Sequence, residues 1–572
     1  MLRLPAGGVT VGARGLRWLV CASIGTGRLT ALLAALAMIC SSGAAAEALQ
    51  LARMVDGRAS LTELSTDGQV HTRPLPPDWQ TPLGSLWKLY VHAYLIDNAL
   101  ADPGYQCAGQ HRDEVYCCQP GERIDRDQAL VRSCGLYYAP ARLGLDATAW
   151  RNYWAARQSP SWLRDLAGMR PSVQVPVAQL LSSLSSLPRQ TELRRILLDV
   201  SLTARDPRVI GQLGASWRVK TWSWYRGDDK DARIGGFAGW LVDGTPVFAS
   251  GEGSSQSVLS KFAKVLRTQS TAARAVDGGQ CVEVQLFTRY AIAAVEREGI
   301  AATAGTLRGS FDVRFENGNR VRIDSTGELL LVLTGAAPTL IARVDREEYV
   351  ARVLDREAAP TPAAAADALA IAIRSYLQQN AVARGDCLAI DDSSAKQRMA
   401  PRAATAAARA VAARTADLVL SGTPVRYHHD RADEQRLSWL LAVDQANAGA
   451  DFQTILMAAF PRASLSRWDR PTADCQRLTA AERWLQARIP EWRERLDREP
   501  GYQEVRGFSV CKLNSGRPHT DYARQRIHVR GPLSLQDRLD LAHEYLHLGF
   551  ANHPRGRDEA FVEALARHLI LE

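Results

Sequence analysis

The chain has no long run of lysine and arginine interleaved with aromatic residues, which argues against a nucleic-acid partner. It has no cysteine pair spaced C-x-x-C, which argues against a cysteine zinc site. Its N-terminal apolar run, "LTALLAALAMIC" (Leu29–Cys40), is too short for a membrane span. No internal repeat is present. Histidine is scarce, 11 in 572 residues, so a regular histidine spacing carries information. What is there is ordinary for a soluble globular protein, with 46% apolar and 23% charged residues. The length exceeds one hydrophobic core, and about three or four domains are expected.

The N-terminus reads as an export signal. Arg3, Arg14, Arg17 and Arg28 form a basic region, Leu29–Cys40 an apolar core, and Ala44–Ala46 a small-residue cleavage site before Glu47. Met38 and Ile39 fit a lipidation box at Cys40 badly. The expectation is export to a bacterial periplasm, with no stable membrane span after cleavage. The segment holds four Arg and no Asp or Glu, so its removal takes the net charge from +9 to +5. That mild basicity suits a polyanionic cell wall as neighbour. Eight cysteines remain: Cys107, Cys117, Cys118, Cys134, Cys281, Cys387, Cys475 and Cys511. An even number in an exported chain predicts disulfides, and the spacing leaves their pairing open.

Near the C-terminus, "SLQDRLDLAHEYLHLGF" has helical periodicity and a Ser534 N-cap signal. His543 and His547 lie four apart, on one helix face, and can offer two imidazole nitrogens to one ion. Glu544 sits beside them, placed to take a proton from a water that zinc acidifies. This H-E-x-x-H segment resembles the zincin metallopeptidases, which implies Zn2+. The third ligand stays open between two residues. His553 has the metzincin spacing, although Phe550 stands at that pattern's glycine. Glu559 resembles the gluzincin ligand on a following helix, "GRDEAFVEALARHL", with Glu563 one turn later on the same face.

"TPLGSLWKLYVHAYLIDNAL" (Thr81–Leu100) contains Ser85 and Lys88, three apart at the start of an apolar helix-length run. A serine needs a base to become a nucleophile, and a buried lysine with a lowered pKa can supply one. "ALVRSCGLYYAPARLGLD" and "VKTWSWYR", followed by "RIGGFAGWLVDG", complete a pattern that resembles the penicillin-binding proteins and their SxxK acyltransferase fold. By that resemblance Ser85 is the nucleophile, Lys88 its base, and Ser133 and Lys220 proton relays or carboxylate binders. Gly135 stands where that family has Asn, and Trp222 where it has Gly.

"EEYVARVLDRE", "DALAIAIRSYL" and "DDSSAKQ", followed by "AAARAVAARTADLVLSGTPV", resemble the stage II sporulation protein D family of lytic transglycosylases. Glycan cleavage needs a protonated carboxyl at the leaving oxygen. By position that resemblance implies Glu357 as the acid, with Arg374 and Gln397 supporting it. His428 and His429 are adjacent and point different ways, a poor chelate.

The expected fold is multidomain α+β. It comprises a signal peptide (1–46), an SxxK acyltransferase-like α/β domain (47–270), a sporulation-D-like α+β domain (271–470), and a zincin-like helical domain with a small sheet (471–572). The whole chain resembles an uncharacterised family of predicted secreted proteobacterial proteins. That resemblance implies an envelope role and offers a bacterial alpha-2-macroglobulin as a partner. Two functions follow. One is a zinc-dependent hydrolase of peptidoglycan peptide or envelope polypeptide. The other is a non-catalytic envelope scaffold that binds peptidoglycan or a partner protein.

Overall fold

A computed structural model describes residues 47–571 apart from 112, 115–116, 119–122, 205, 207, 227–228, 271–278, 334–336, 394–395, 434, 462, 472–476, 506, 514–516, 522–524 and 532. The export segment 1–46 and Cys475 lie outside the described residues.

The first sheet is antiparallel throughout. Its strands are β1 (Ala48–Val55), β2 (Arg58–Ser65), β3 (Val70–Pro74), β4 (Trp217–Arg226), β5 (Asp229–Leu241) and β6 (Pro246–Glu252), in the order β3-β2-β1-β6-β5-β4. A tight Asp243-Gly244 turn, the residue pair that favours such hairpins, joins β5 to β6, with the Asp243 carboxylate accepting from the Thr245 amide and Gly244 at φ +90°. Side chains alternate between two cores, as a strand's period of two demands. Val247 and Ala249 pack under helix α2 (Ser255–Thr268), while Phe248 between them faces the opposite core. That opposite core holds helix α1 (Trp87–Asp97), which is buried on every side from Trp87 to Ile96. A helix apolar all round belongs inside a protein, and α1 carries Lys88 inside with it.

The second sheet has eight strands: β7 (Cys281–Leu286), β8 (Ile292–Arg297), β9 (Ile300–Ala301), β10 (Gly305–Phe315), β11 (Arg320–Val332), β12 (Thr339–Asp345), β13 (Val382–Arg384) and β14 (Cys387–Asp391). Their order is β9-β8-β10-β11-β12-β7-β14-β13, and β7 and β14 run parallel. Helices α3 (Arg346–Glu357), α4 (Ala363–Asn380) and α5 (Ala406–Arg414) pack with this sheet. The alanines of α4 are buried along most of its length, which lets neighbouring elements approach its backbone closely. Leu198, Leu202 and Ile210 enter this second core from helices that precede the first sheet's last three strands. The two sheets therefore share helices.

A third core surrounds α6 (Thr479–Leu496), α7 (Leu535–Gly549) and α8 (Glu559–Leu571), with a small sheet of β15 (Ser509–Lys512), β16 (His519–Asp521) and β17 (Arg526–Val529) in the order β15-β17-β16. Ser534 caps α7, accepting from the Asp537 amide in a reciprocal capping box. No helix among the described residues is long and apolar enough to cross a membrane. The chain is thus multidomain α+β, as expected.

Disulfides join Cys107 to Cys118, Cys117 to Cys134 and Cys281 to Cys387. Cys511 is disulfide-bonded as well. Cys281 and Cys387 are register partners on the parallel pair β7 and β14, so their bond staples neighbouring strands.

Candidate functional sites

Two clusters of chemically competent side chains form, one on α1 and one on α7 and α8. In the C-terminal cluster, ligand atoms of His543, His547 and Glu559 lie within 4.8 Å of one another. The imidazole orientations follow from their outer contacts. His547 Nδ1 is 2.8 Å from the Gly556 carbonyl oxygen, so it carries the hydrogen and donates it. That tautomer leaves Nε2 with a bare lone pair. His543 Nδ1 lies 3.2 Å from a Glu563 carboxylate oxygen, close enough for an ion pair. The two Nε2 atoms are 3.0 Å apart. Glu559 Oε2 stands 3.2 Å from His543 Nε2 and 3.6 Å from His547 Nε2. Three ligand atoms thus converge on one point. Two imidazoles and a carboxylate are donors that suit zinc.

Glu544 is 6% exposed and does not join that group. Burial pushes its carboxyl up to about 8, opposed by its bond to Thr520. Thr520, on β16, lies 3.0 Å through Oγ1 from Glu544 Oε2 and donates to the Glu544 carbonyl at 2.7 Å. Sequence reasoning missed Thr520 and the Gly556 carbonyl, because neither carries a local signal.

His553 is a correction. Its Nδ1 accepts from the Arg555 amide at 3.3 Å, capping the short turn Pro554–Arg557, and its ring lies against Gly501. The ring is committed to the turn, and Glu559 takes the place beside the histidine pair.

In the N-terminal cluster, Ser85 sits on a single turn, Gly84–Leu86, that leads into α1. Lys88 Nζ is 3.1 Å from Ser85 Oγ, 2.8 Å from the Ser133 carbonyl oxygen and 3.3 Å from Ser133 Oγ. Ser133 adopts φ +63°, and the next residue, Cys134, is tied to Cys117. Lys220 Nζ donates to the Thr221 carbonyl at 2.9 Å. Burial lowers the Lys88 amine to about 7, offset in part by Asp113. Burial also depresses Lys220 strongly, and the neighbouring Lys88 adds to that. Lys88 thus contacts both Ser85 and Ser133, and Lys220 lies within electrostatic range of Lys88.

Lys88 predicts a pH dependence with a definite sign. Its folded value of about 7 lies below its unfolded value of 10.5. Between those values the unfolded chain binds the extra proton, so stability rises with pH across that window, by at most about 1.4 kcal/mol per unit. Below about 7 the group gives no further change. Denaturant unfolding at several pH values, compared with Lys88→Met, checks this: the variant is expected to show the smaller slope. An identical slope removes the argument for a neutral amine.

Of the middle-segment candidates, Glu357 and Gln397 stay near one another, and Arg374 is engaged elsewhere. Glu357 ends α3 and accepts from the Arg398 amide at 3.3 Å and its Nε at 3.4 Å. Gln397 accepts from the Tyr349 hydroxyl at 2.6 Å and donates to the Ile373 carbonyl at 3.1 Å. Arg374 departs from expectation. It is fully buried and binds Glu347 through both terminal oxygens, at 3.1 and 2.5 Å, as well as the Leu418 carbonyl at 3.0 Å. It orders the core, and nothing in its contacts reaches Glu357. His428 is exposed and pairs with Asp430.

The family described as predicted secreted protein (DUF2300) matches residues 109–231 and 435–555. The chain is also 48% identical over 514 residues to the uncharacterized protein YfaQ of Escherichia coli strain K12, covering 90% of this chain and 94% of that one. The chain belongs to this family of predicted secreted proteins. Among solved structures it is similar to L2 complexed with relebactam, with 17% identity over 39% of this chain and 91% of that one, at a TM-score of 0.26. A class D beta-lactamase from Bacillus subtilis is 12% identical over 41% of this chain and 94% of that one, at 0.27. The C-terminal domain of the BlaR penicillin-receptor of Bacillus licheniformis is 13% identical over 39% of this chain and 87% of that one, at 0.26.

Proposed function

We propose that this protein is a zinc-dependent hydrolase of peptidoglycan peptide or envelope polypeptide, working in the periplasm after loss of residues 1–46. The supporting observation is the convergence of His543, His547 and Glu559 on one point, with the His547 tautomer fixed by the Gly556 carbonyl behind it. Zinc, when bound there, supplies Lewis acidity toward a scissile carbonyl and toward water. Glu544 takes the proton of the attacking water and returns it to the leaving amine, while Thr520 holds its carboxylate.

Metal analysis of the purified full chain tests this reading. One zinc per chain is expected in the wild type and none in His543→Ala. A wild type without zinc after exposure to it would sink the hydrolase and leave the scaffold, a non-catalytic envelope protein that binds peptidoglycan or a partner such as an alpha-2-macroglobulin.

A second reading concerns the N-terminal cluster, and the 3.1 Å contact between Lys88 Nζ and Ser85 Oγ favours it. A neutral amine at that distance can take the serine proton, making Ser85 a nucleophile for acyl groups. Ser133 and Lys220 then relay the proton or bind a carboxylate. Glu357 is the proposed acid for glycan cleavage, and must release the Arg398 amide to serve a substrate.

A further inference from the structure

Lys88 is held from two sides. Ser85 Oγ lies 3.1 Å from its amine, and the amine donates a shorter bond, 2.8 Å, to the Ser133 carbonyl. Gly135 borders the same side chain, since a Cβ placed there would stand 3.6 Å from Lys88 Cε and 3.9 Å from Nζ. Both chain neighbours of Cys134 therefore touch the lysine. Local structure fixes them weakly. The helix before them, Arg126–Val131, has six residues, too few to persist alone in water. Two backbone bonds close the turn, from the Ser133 amide to the Leu130 carbonyl at 3.2 Å and from the Cys134 amide to the Ala129 carbonyl at 2.8 Å. Ser133 itself stands at φ +63°, uphill for a residue with a Cβ. The Cys117–Cys134 bond fastens this turn from outside. Cys117 belongs to a loop that a second bond, Cys107–Cys118, closes. That loop folds round Glu114, whose carboxylate accepts from the Tyr105 hydroxyl at 2.9 Å and the Ala108 amide at 3.1 Å. Cys117 and Cys134 are 4% and 1% exposed, so their bond is sheltered once made.

We propose that the Ser85 centre is assembled by oxidation: the Cys117–Cys134 disulfide is the latch that holds Ser133 and Gly135 on Lys88. This rests on Ser85 being a nucleophile and adds what switches it on. Without the latch the turn leaves the lysine, water reaches the amine, and the protonated form returns, so Ser85 lacks a base. Disulfides persist in oxidising compartments and are kept reduced in the cytosol. A chain of this predicted secreted family is therefore inert where it is made and competent after export. In latching, the Cys117 thiolate attacks one sulfur of a protein disulfide oxidant, and the other sulfur leaves as a thiolate. The Cys134 thiolate then attacks Cys117 Sγ, forming the bond and releasing the oxidant's first sulfur. The two cysteine thiols lose two electrons and two protons, and the oxidant departs as a dithiol.

A small fluorophosphonate with methyl and ethoxy substituents tests the proposal on the full chain. It forms an Oγ–P bond with loss of fluoride, read by intact mass and peptide mapping to Ser85, and Ser85→Ala marks the baseline. The double variant Cys117→Ser with Cys134→Ser, which keeps Cys107–Cys118, is expected to react about 100-fold slower than the oxidised wild type, the scale of a misplaced reacting group. Cys281→Ser with Cys387→Ser, which removes a bond in the other sheet, is expected to stay within about threefold of wild type. Hydrogen exchange of the amides from 129 to 135 needs no nucleophile, and its protection is expected to fall more than about tenfold when the latch is removed. Unchanged labelling without the latch overturns the proposal, as does an equal loss in the variant of the other sheet. A wild type that never labels at Ser85 overturns the nucleophile instead, and the exchange still decides whether the bond holds the turn. Should the latch variant fail to fold by thermal melting, stepwise reduction of the wild type with dithiothreitol decides. Labelling is expected to fall as Cys117 and Cys134 become open to alkylation, and labelling that survives their alkylation overturns the latch.

Discussion

Glu544→Ala is expected to keep one zinc per chain and to slow hydrolysis about 10²–10⁴-fold, the usual contribution of a positioned acid or base. The two halves of that expectation have separate causes. Metal is retained because the three converging donors are His543, His547 and Glu559, and the Glu544 carboxylate is turned to Thr520 instead. Turnover falls because the other carboxylates near the pair are engaged: Asp540 accepts from Gln536 at 2.7 Å. Glu559 faces both imidazoles, and Glu563 is held between His543 and Arg567. Release of fragments from intact sacculi and from denatured protein, measured side by side, would also name the polymer. A variant that loses its zinc would make Glu544 a ligand. A variant with full activity would remove it from the chemistry.

Arg374→Ala is expected to lower stability by about 3–5 kcal/mol, read as a shift of the urea midpoint. The guanidinium is fully buried and holds Glu347, which is itself buried. Removing the cation strands a carboxylate where desolvation is severe. Glu347 keeps a contact with Arg346 at 3.0 Å, and Arg346 pairs with Asp417, which meets Arg218 of β4 at 3.2 Å. The loss therefore propagates along a chain of charges that joins the first sheet to α3 and α4. A midpoint within about 0.5 kcal/mol of wild type, the range of ordinary surface changes, would show that this pair is dispensable.

Much of both sites was legible before any coordinates. The spacing of His543 and His547 puts two imidazoles on one face because an α-helix repeats every 3.6 residues, and Ser534 announces where that helix starts. Ser85 and Lys88 meet for the same local reason. The Asp243-Gly244 turn was readable because its backbone geometry favours those residue types. Each of these follows from interactions within a few residues of the chain.

The expectation for Arg374 failed for the opposite reason. An arginine placed by resemblance was assigned to Glu357, yet the nearest buried carboxylate in space belongs to Glu347, presented by the first turn of α3. His553 has a ligand's spacing, but the chain turns at Pro554 and its ring serves that turn.

By itself the sequence determined which helices carry reactive groups and which faces those groups share, since helical periodicity and capping are local. Only the tertiary structure decided that Glu559 joins the histidines, that Ser133 reaches Lys88, and which cysteines pair. Those contacts join residues far apart in the chain, and packing of whole elements sets them.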